Sequence, residues 1–176
     1  MRSVWRPDYY VRIVTAIEPG WLVARGYGGL VSDLDNTLSG WHDANIPQPV
    51  RTWVAQVLAA GVGVCVLSNS MGHGRAEAVE EMLGVPVLTR AFKPSGAGYR
   101  RALAFLGVEP GRAIAVGDQI RTDIVGAKRA GIAAVLVDRL TAREHWANAA
   151  LRRLEERYLN RIGLFAVDSL RAFEPE

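Results

Sequence analysis

The residues in this chain best equipped for chemistry are acidic, hydroxyl and cationic side chains that follow short apolar runs. Asp33 and Asp35 occur in Asp33-Leu34-Asp35-Asn36-Thr37, just after Leu30-Val31, and Ser68 and Asn69 follow the run 62–67. Lys93-Pro94 opens a helical pattern, and Gly117-Asp118, with Thr122 and Asp123, follows the run 113–116. Two aspartates one residue apart suit a pair in which one carboxylate attacks and the other moves a proton. Carboxylates from Asp33, Asp35, Asp118 and Asp123 are hard oxygen donors of the kind Mg2+ selects. Lys93 adds an ammonium, and Ser68 and Asn69 add hydroxyl and amide donors for an oxyanion.

That inventory fits phosphoryl transfer. Phosphate esters resist attack because their oxygens repel an incoming nucleophile, so a catalyst must first cancel that charge. Mg2+ held by Asp33, Asp118 and the backbone carbonyl of Asp35 would cancel part of it. Lys93, Ser68 and Asn69 would bind the remaining phosphoryl oxygens. Asp33 is then the expected nucleophile, forming an aspartyl-phosphate, with Asp35 as acid and base. Asp123 accepts from Lys93 or from a metal-bound water. Each fragment also has a plain structural reading: Asp-x-Asp recurs by chance, Ser68-Asn69 can cap a helix, Gly117-Asp118 can form a turn, and Thr122 and Asp123 can start a helix. Four such motifs in order, each at the end of an apolar run, favour the catalytic reading.

Positioning these groups requires strands that stop where the motifs begin. The runs 30–34, 62–67, 85–88, 113–116 and 133–137 read as strands, and 49–59, 75–83, 95–106 and 122–130 as the helices between them. Several of these helices end at a glycine, among them Gly61, Gly84, Gly107 and Gly131. Alternating strands and helices predict a parallel sheet in a three-layer α/β sandwich, whose ligands bind beyond the carboxyl ends of the strands. A further helix is predicted over 141–161, with Ala147, Leu151, Leu154, Tyr158 and Ile162 on one stripe and Arg143, Arg152, Arg153, Arg157 and Arg161 on other faces.

The 176 residues suit one domain, with 1–28 as an N-terminal extension, 29–138 as the catalytic core and 139–176 as a C-terminal helix and tail. A single cysteine, Cys65, inside an apolar run reads as a buried thiol and leaves no intrachain disulfide to form, which suits a reducing compartment. No stretch reaches the ~18 apolar residues of a membrane span, so a cytoplasmic protein is expected. A net charge of +3 tolerates anionic partners without pointing to nucleic acid, and none is expected. His42, His73 and His145 lack metal-ligand spacing and read as loop or surface residues.

The motifs Asp33-Leu34-Asp35-Asn36-Thr37, Ser68, Lys93 and Gly117-Asp118 with Thr122-Asp123 resemble those of the haloacid dehalogenase (HAD) superfamily of phosphatases. The resemblance implies a Rossmann-like sheet, a nucleophilic first aspartate and Mg2+, and Asp35 sets the chain apart from the dehalogenases of that superfamily. The intervals between motifs are too short for a cap domain, and a capless site in this superfamily goes with bulky substrates. Pro7-Asp8-Tyr9-Tyr10-Val11, Trp41, Asn69, Pro94 and Gln119 extend the likeness to the YqeG-type branch, related to phosphatidylglycerophosphate phosphatases. Ser70 and the Gly72-His73-Gly74 insertion depart from the pattern of that branch.

That narrower likeness implies phosphatidylglycerophosphate as substrate and phosphatidylglycerol as product. It also implies peripheral contact at the inner face of the membrane, with the Arg-bearing helix and Trp5, Tyr9, Tyr10 and Trp21 available to meet anionic lipid. The other reading of those residues is packing against the sheet with a solvated basic face, which apolar stripes usually indicate. Two further functions stay open: a capless phosphatase of soluble sugar or nucleotide phosphates, and a phosphorylatable receiver-like binding module. Against the receiver, Lys93 precedes Asp118, whereas a receiver's lysine follows its hydroxyl motif.

Overall fold

The apolar runs form strands that pair in parallel, as expected for segments buried on both faces. The computed structural model describes residues 3–69, 73–141 and 146–171. Its sheet has six strands: β1 (Tyr9–Val11), β2 (Gly29–Ser32), β3 (Gly63–Leu67), β4 (Val87–Leu88), β5 (Ala113–Gly117) and β6 (Ala133–Val137). They are ordered β1-β6-β5-β2-β3-β4, every neighbouring pair parallel. Helices α1 (Pro19–Ala24), α2 (Gln48–Ala59), α3 (His73–Leu83), α4 (Ala97–Leu106), α5 (Val125–Arg129) and α6 (Trp146–Arg161) flank it. The two faces of the sheet carry separate cores. Leu30, Val64, Val66, Ile114 and Val116 pack with Trp53 and Val57 of α2, while Val31, Cys65, Leu67 and Ala115 pack with Tyr99 and Leu103 of α4. This alternation is the period-two pattern of a strand covered on both sides, and it gives the expected three layers.

Strand order fixes where the site must lie. From β2 the chain winds outward through β3 and β4, then returns to the other side of β2 for β5 and β6. The connections therefore part between β2 and β5 and leave a crevice beyond their carboxyl ends, the topological switch point where ligands bind in such sheets. Ser32 is in register with Val66 on one side and Val116 on the other, so the residues after all three strands emerge together.

Three elements differ from the sequence expectation. The N-terminal segment adds a strand: Tyr9–Val11 pairs with β6, while the Asp8 carboxylate accepts from Lys128 Nζ at 2.5 Å and from the Ala134 amide at 2.8 Å. Residues 122–130 are not one helix. A π-helical turn over Ile120–Ile124 precedes α5, so Asp123 sits inside the wide turn rather than at a helix start. Helix α6 buries Leu159, which the predicted stripe omitted, and leaves Leu154 57% exposed.

The helix-ending glycines behave as expected; Gly107, for example, closes α4 in the left-handed conformation with φ +66°. Cys65 is buried and free, and burial pushes its thiol up to about 12. His42 lies in an exposed loop, its ring 4.5 Å from that of Trp41. Ser70, Gly72, Arg143 and His145 lie outside the described residues. Among the described residues, no helix is long and apolar enough to cross a membrane.

Candidate active site

Asp33 follows β2 and continues its ladder, its amide donating to the Val116 carbonyl at 2.8 Å. Its side chain meets the Lys93 ammonium in a short ion pair. Lys93 Nζ also donates to Asp123 Oδ1 at 2.7 Å and to the Leu67 carbonyl at 3.1 Å. All three donor positions of the ammonium are thus used, with only 3% of its side chain exposed. Burial alone would lower the Lys93 pKa, but the Asp123 and Asp33 carboxylates outweigh it and hold the ammonium well above its ordinary value. Burial pushes the Asp33 carboxyl up to about 7; Lys93 opposes that rise, and the nearby Asp123 and Asp35 charges add to it.

Asp123 is fixed from several sides. Its Oδ2 accepts from the Gln119 amide at 3.1 Å, and its backbone carbonyl accepts from the buried Tyr99 hydroxyl at 3.1 Å. Gly117 makes this approach possible, because a Cβ there would lie 2.6 Å from Asp123 Oδ2. One oxygen each of Asp33, Asp118 and Asp123 lie within 4.8 Å of one another. Three neighbouring carboxylates, two of them paired with one ammonium, carry more negative than positive charge. That is a donor set suited to a hard divalent cation.

The other expected site residues are placed as follows. Ser68 is buried at the end of β3, its carbonyl accepting from the Ala91 amide at 3.1 Å. The Asn69 side chain pairs with the backbone of Lys93: Oδ1 accepts from the Lys93 amide at 2.8 Å and Nδ2 donates to the Lys93 carbonyl at 3.2 Å. Its amide therefore anchors the loop carrying the lysine as well as lining the cavity. The Asp35 carboxylate is not part of the three-carboxylate group; it faces the rim of the cavity with 23% of its side chain exposed. There Oδ1 accepts from the His42 amide at 2.8 Å, and Arg75 of α3 pairs with it, Nη2 to Oδ1 at 2.9 Å and Nη1 to Oδ2 at 3.1 Å.

Arg75 was not among the expected site residues. The same guanidinium donates to Ser39 Oγ at 3.1 Å and to the Asp43 carbonyl at 2.9 Å, so it braces the whole loop after Asp33. The only sequence signal was a basic residue early in the helix that follows Ser68-Asn69.

These groups open into a cavity of about 400 Å3 lined by Asp33, Asp35, Lys93 and Asp123 with Trp41, His42 and Arg121 at its walls. A buried carboxylate and ammonium, a second carboxylate at the rim and a cluster fit for a cation can together bind and attack an anionic ester.

Comparison with known proteins points to hydrolases of phosphate esters. The family described as "HAD-hyrolase-like" matches residues 91–159. The Bacillus subtilis (strain 168) protein named "Probable phosphatase YqeG" is 29% identical over 160 residues, spanning 91% of this chain and 92% of that one. The Chlamydomonas reinhardtii protein named "Phosphatidylglycerophosphate phosphatase 1, chloroplastic" is 37% identical over 155 residues, covering 83% of this chain but only 58% of its own length. Among solved structures, the cobalt-bound deoxy-D-mannose-octulosonate 8-phosphate phosphatase from Haemophilus influenzae shares the fold, with a TM-score of 0.54 at 13% identity over 80% of this chain and 91% of that one. With the strand-end aspartates and lysine at the β2/β5 crevice, the chain resembles the haloacid dehalogenase-like hydrolases over residues 91–159 and is similar to the phosphatases named above.

Proposed function

We propose that the protein is a Mg2+-dependent phosphomonoesterase that works through an aspartyl-phosphate on Asp33. One observation carries this reading: the Lys93 ammonium is buried between Asp33 and Asp123 in the wall of a cavity that Asp35 also lines, and an oxygen of Asp118 lies within 4.8 Å of oxygens of both Asp33 and Asp123. Asp33, Asp118 and Asp123 would hold the cation, which supplies charge neutralisation for the phosphoryl oxygens. Lys93 holds Asp33 in place and offers positive charge to the same oxygens, with the backbone around Ser68 and Asn69 beside it.

A carboxylate oxygen of Asp33 forms a bond to phosphorus as the ester P–O bond breaks, and the leaving alkoxide takes its proton from Asp35. Asp35 then removes a proton from water, whose oxygen attacks phosphorus. The bond to Asp33 breaks, inorganic phosphate leaves and the carboxylate is restored. Arg75 and the His42 amide fix the direction in which Asp35 presents its oxygens.

A lipid phosphate, phosphatidylglycerophosphate in particular, is the substrate favoured by the 37% identity to a protein named for that reaction. Among the described residues no cap is inserted between the motifs, which leaves room for such a bulky group. The test is phosphate release from a panel of lipid, sugar and nucleotide phosphomonoesters with Mg2+ and with EDTA, for wild type and Asp33→Asn. Turnover restored by Mg2+ and abolished in a folded Asp33→Asn protein is expected. Turnover indifferent to both would refute the mechanism, and faster release from soluble phosphates than from lipid would refute the substrate.

A further inference from the structure

Beside the catalytic cavity lies a second hollow of about 470 Å3, walled by Trp5, Ile120, Arg121, Leu154, Glu155 and Tyr158. Its character differs from that of the first, since four of those six side chains are apolar or aromatic. Trp5 and Leu154 are 48% and 57% exposed, so the hollow presents apolar side chains to solvent. The other aromatics near the N-terminus do not share this exposure. Trp21 is buried with the edge of the Tyr9 ring against it, and the Tyr10 hydroxyl donates to Asp138 at 2.5 Å. Packing on the sheet thus accounts for those three and leaves Trp5 unexplained.

The two hollows share a wall. Arg121 lines both, and Ile120 and Arg121 belong to the same π-helical turn that delivers Asp123 to Lys93. The Arg121 amide donates to Glu155 Oε1 at 3.0 Å, which ties α6 to that turn and holds the apolar wall next to the chemistry. Arg153 and Arg157, on either side of Leu154 in sequence, are exposed on α6. A molecule that spans both hollows is therefore a phosphomonoester at one end and a hydrocarbon at the other.

We propose that this groove holds the first part of an acyl chain of a lipid phosphate whose phosphomonoester sits at Asp33. The inference rests on the phosphatase reading above and adds the place where the hydrocarbon binds. It explains why an amphiphile would be preferred by a site whose catalytic cavity is mostly polar. Each methylene that enters the groove contributes about 0.8 kcal/mol, or close to fourfold in kcat/KM.

The experiment uses the full chain with Mg2+ and a substrate series kept below micelle formation: the deacylated headgroup of phosphatidylglycerophosphate, then its dibutanoyl and dihexanoyl forms. Wild type should gain about tenfold or more in kcat/KM from dibutanoyl to dihexanoyl. Leu154→Glu and Trp5→Ala should lose most of that gain while keeping wild-type kcat/KM on the deacylated headgroup and on p-nitrophenyl phosphate. In parallel, the fluorescence difference between wild type and Trp5→Phe should shift to shorter wavelength when dihexanoyl-phosphatidylglycerol is added. Failure to hydrolyse any member of the panel would overturn the phosphatase reading itself. Hydrolysis with no chain-length gain, or a gain that both variants retain, would overturn the groove while leaving the phosphatase intact. A wild-type dimer that Leu154→Glu dissociates would also overturn it, by making the hollow an interface between copies.

Discussion

Lys93→Met isolates the electrostatic core of the site. Lys93 Nζ satisfies Asp33 and Asp123, and the side chains of the three residues are 3%, 10% and 3% exposed, in that order. Methionine keeps the unbranched side chain up to the Cε position and removes the ammonium, leaving two buried carboxylates without their cation. Breaking a buried pair in this way costs about 3–5 kcal/mol. Unfolding entropy of ~2.1 cal/mol/K per residue over the 176 residues of the chain gives about 0.37 kcal/mol per degree. Tm should therefore fall by about 8–14 °C in EDTA at pH 8.

The pH dependence has a definite sign. A carboxyl raised in the folded state binds protons there more readily than in the unfolded chain, so its penalty is full above the folded value and fades as pH drops toward the unfolded one. For Asp33 that window already runs from its ordinary 3.8 up to about 7, and loss of Lys93 removes the main pull downward. The deficit of the variant should thus be largest at pH 8–9 and shrink toward pH 5, and Lys93→Arg should keep more of the stability than Lys93→Met. Thermal melts followed by circular dichroism across that range decide the matter. A fall in Tm below about 2 °C at pH 8, or a deficit independent of pH, would refute the reasoning.

Gly117→Ala should drive a methyl into the Asp123 side chain, costing about 1–3 kcal/mol and about 3–8 °C in Tm. In a double-mutant cycle the alanine should cost less beside Asp123→Gly than beside Asp123, and strict additivity would remove the steric explanation. Arg75→Met should lower kcat by about 10–100-fold through a misdirected Asp35, with Tm changed far less than by Lys93→Met; unchanged kcat on several phosphomonoesters would show that Arg75 only braces the loop.

The parts of the fold visible in the sequence were those decided locally. β2, β3, β5 and β6 are buried on both faces, so their apolar runs announce them with nearly correct ends. β1 has three residues, and its burial comes from partners far along the chain: Val135 and Leu136 of β6 opposite Tyr9 and Tyr10, and a bridge from Val11 to Val167. Nothing in Tyr9-Tyr10-Val11 itself could reveal that. The wide turn at 120–124 was hidden for a similar reason, because it depends on the side chain of Asp123 returning to the Gln119 amide above Gly117, a contact that helical periodicity does not encode. Arg75 is the extreme case. An arginine in the first turns of a surface helix is unremarkable until the fold brings it across to a carboxylate 40 positions earlier in the chain.

On the proposed mechanism, the placement of the two aspartates of the first motif suits what each would have to do. As a nucleophile Asp33 would have to be ionised and still when the phosphate arrives, and it is buried against an ammonium whose loop is itself held by the two-point clasp of Asn69. As acid and base Asp35 would exchange protons with a leaving group and then with water, and its side chain is 23% exposed, where both can reach it. One intervening residue is enough to separate these environments because the chain leaves β2 and turns at once: Asn36 adopts φ +62° and its amide donates to the Ser39 carbonyl at 2.8 Å. Asparagine tolerates that left-handed conformation better than most residues, and its Oδ1 accepts from the Thr141 hydroxyl at 2.7 Å, which holds the turn from the far side of the sheet end. The spacing Asp-x-Asp-Asn is thus a statement about geometry before it is one about chemistry: a strand end that buries its first carboxylate, and a tight turn that exposes the second.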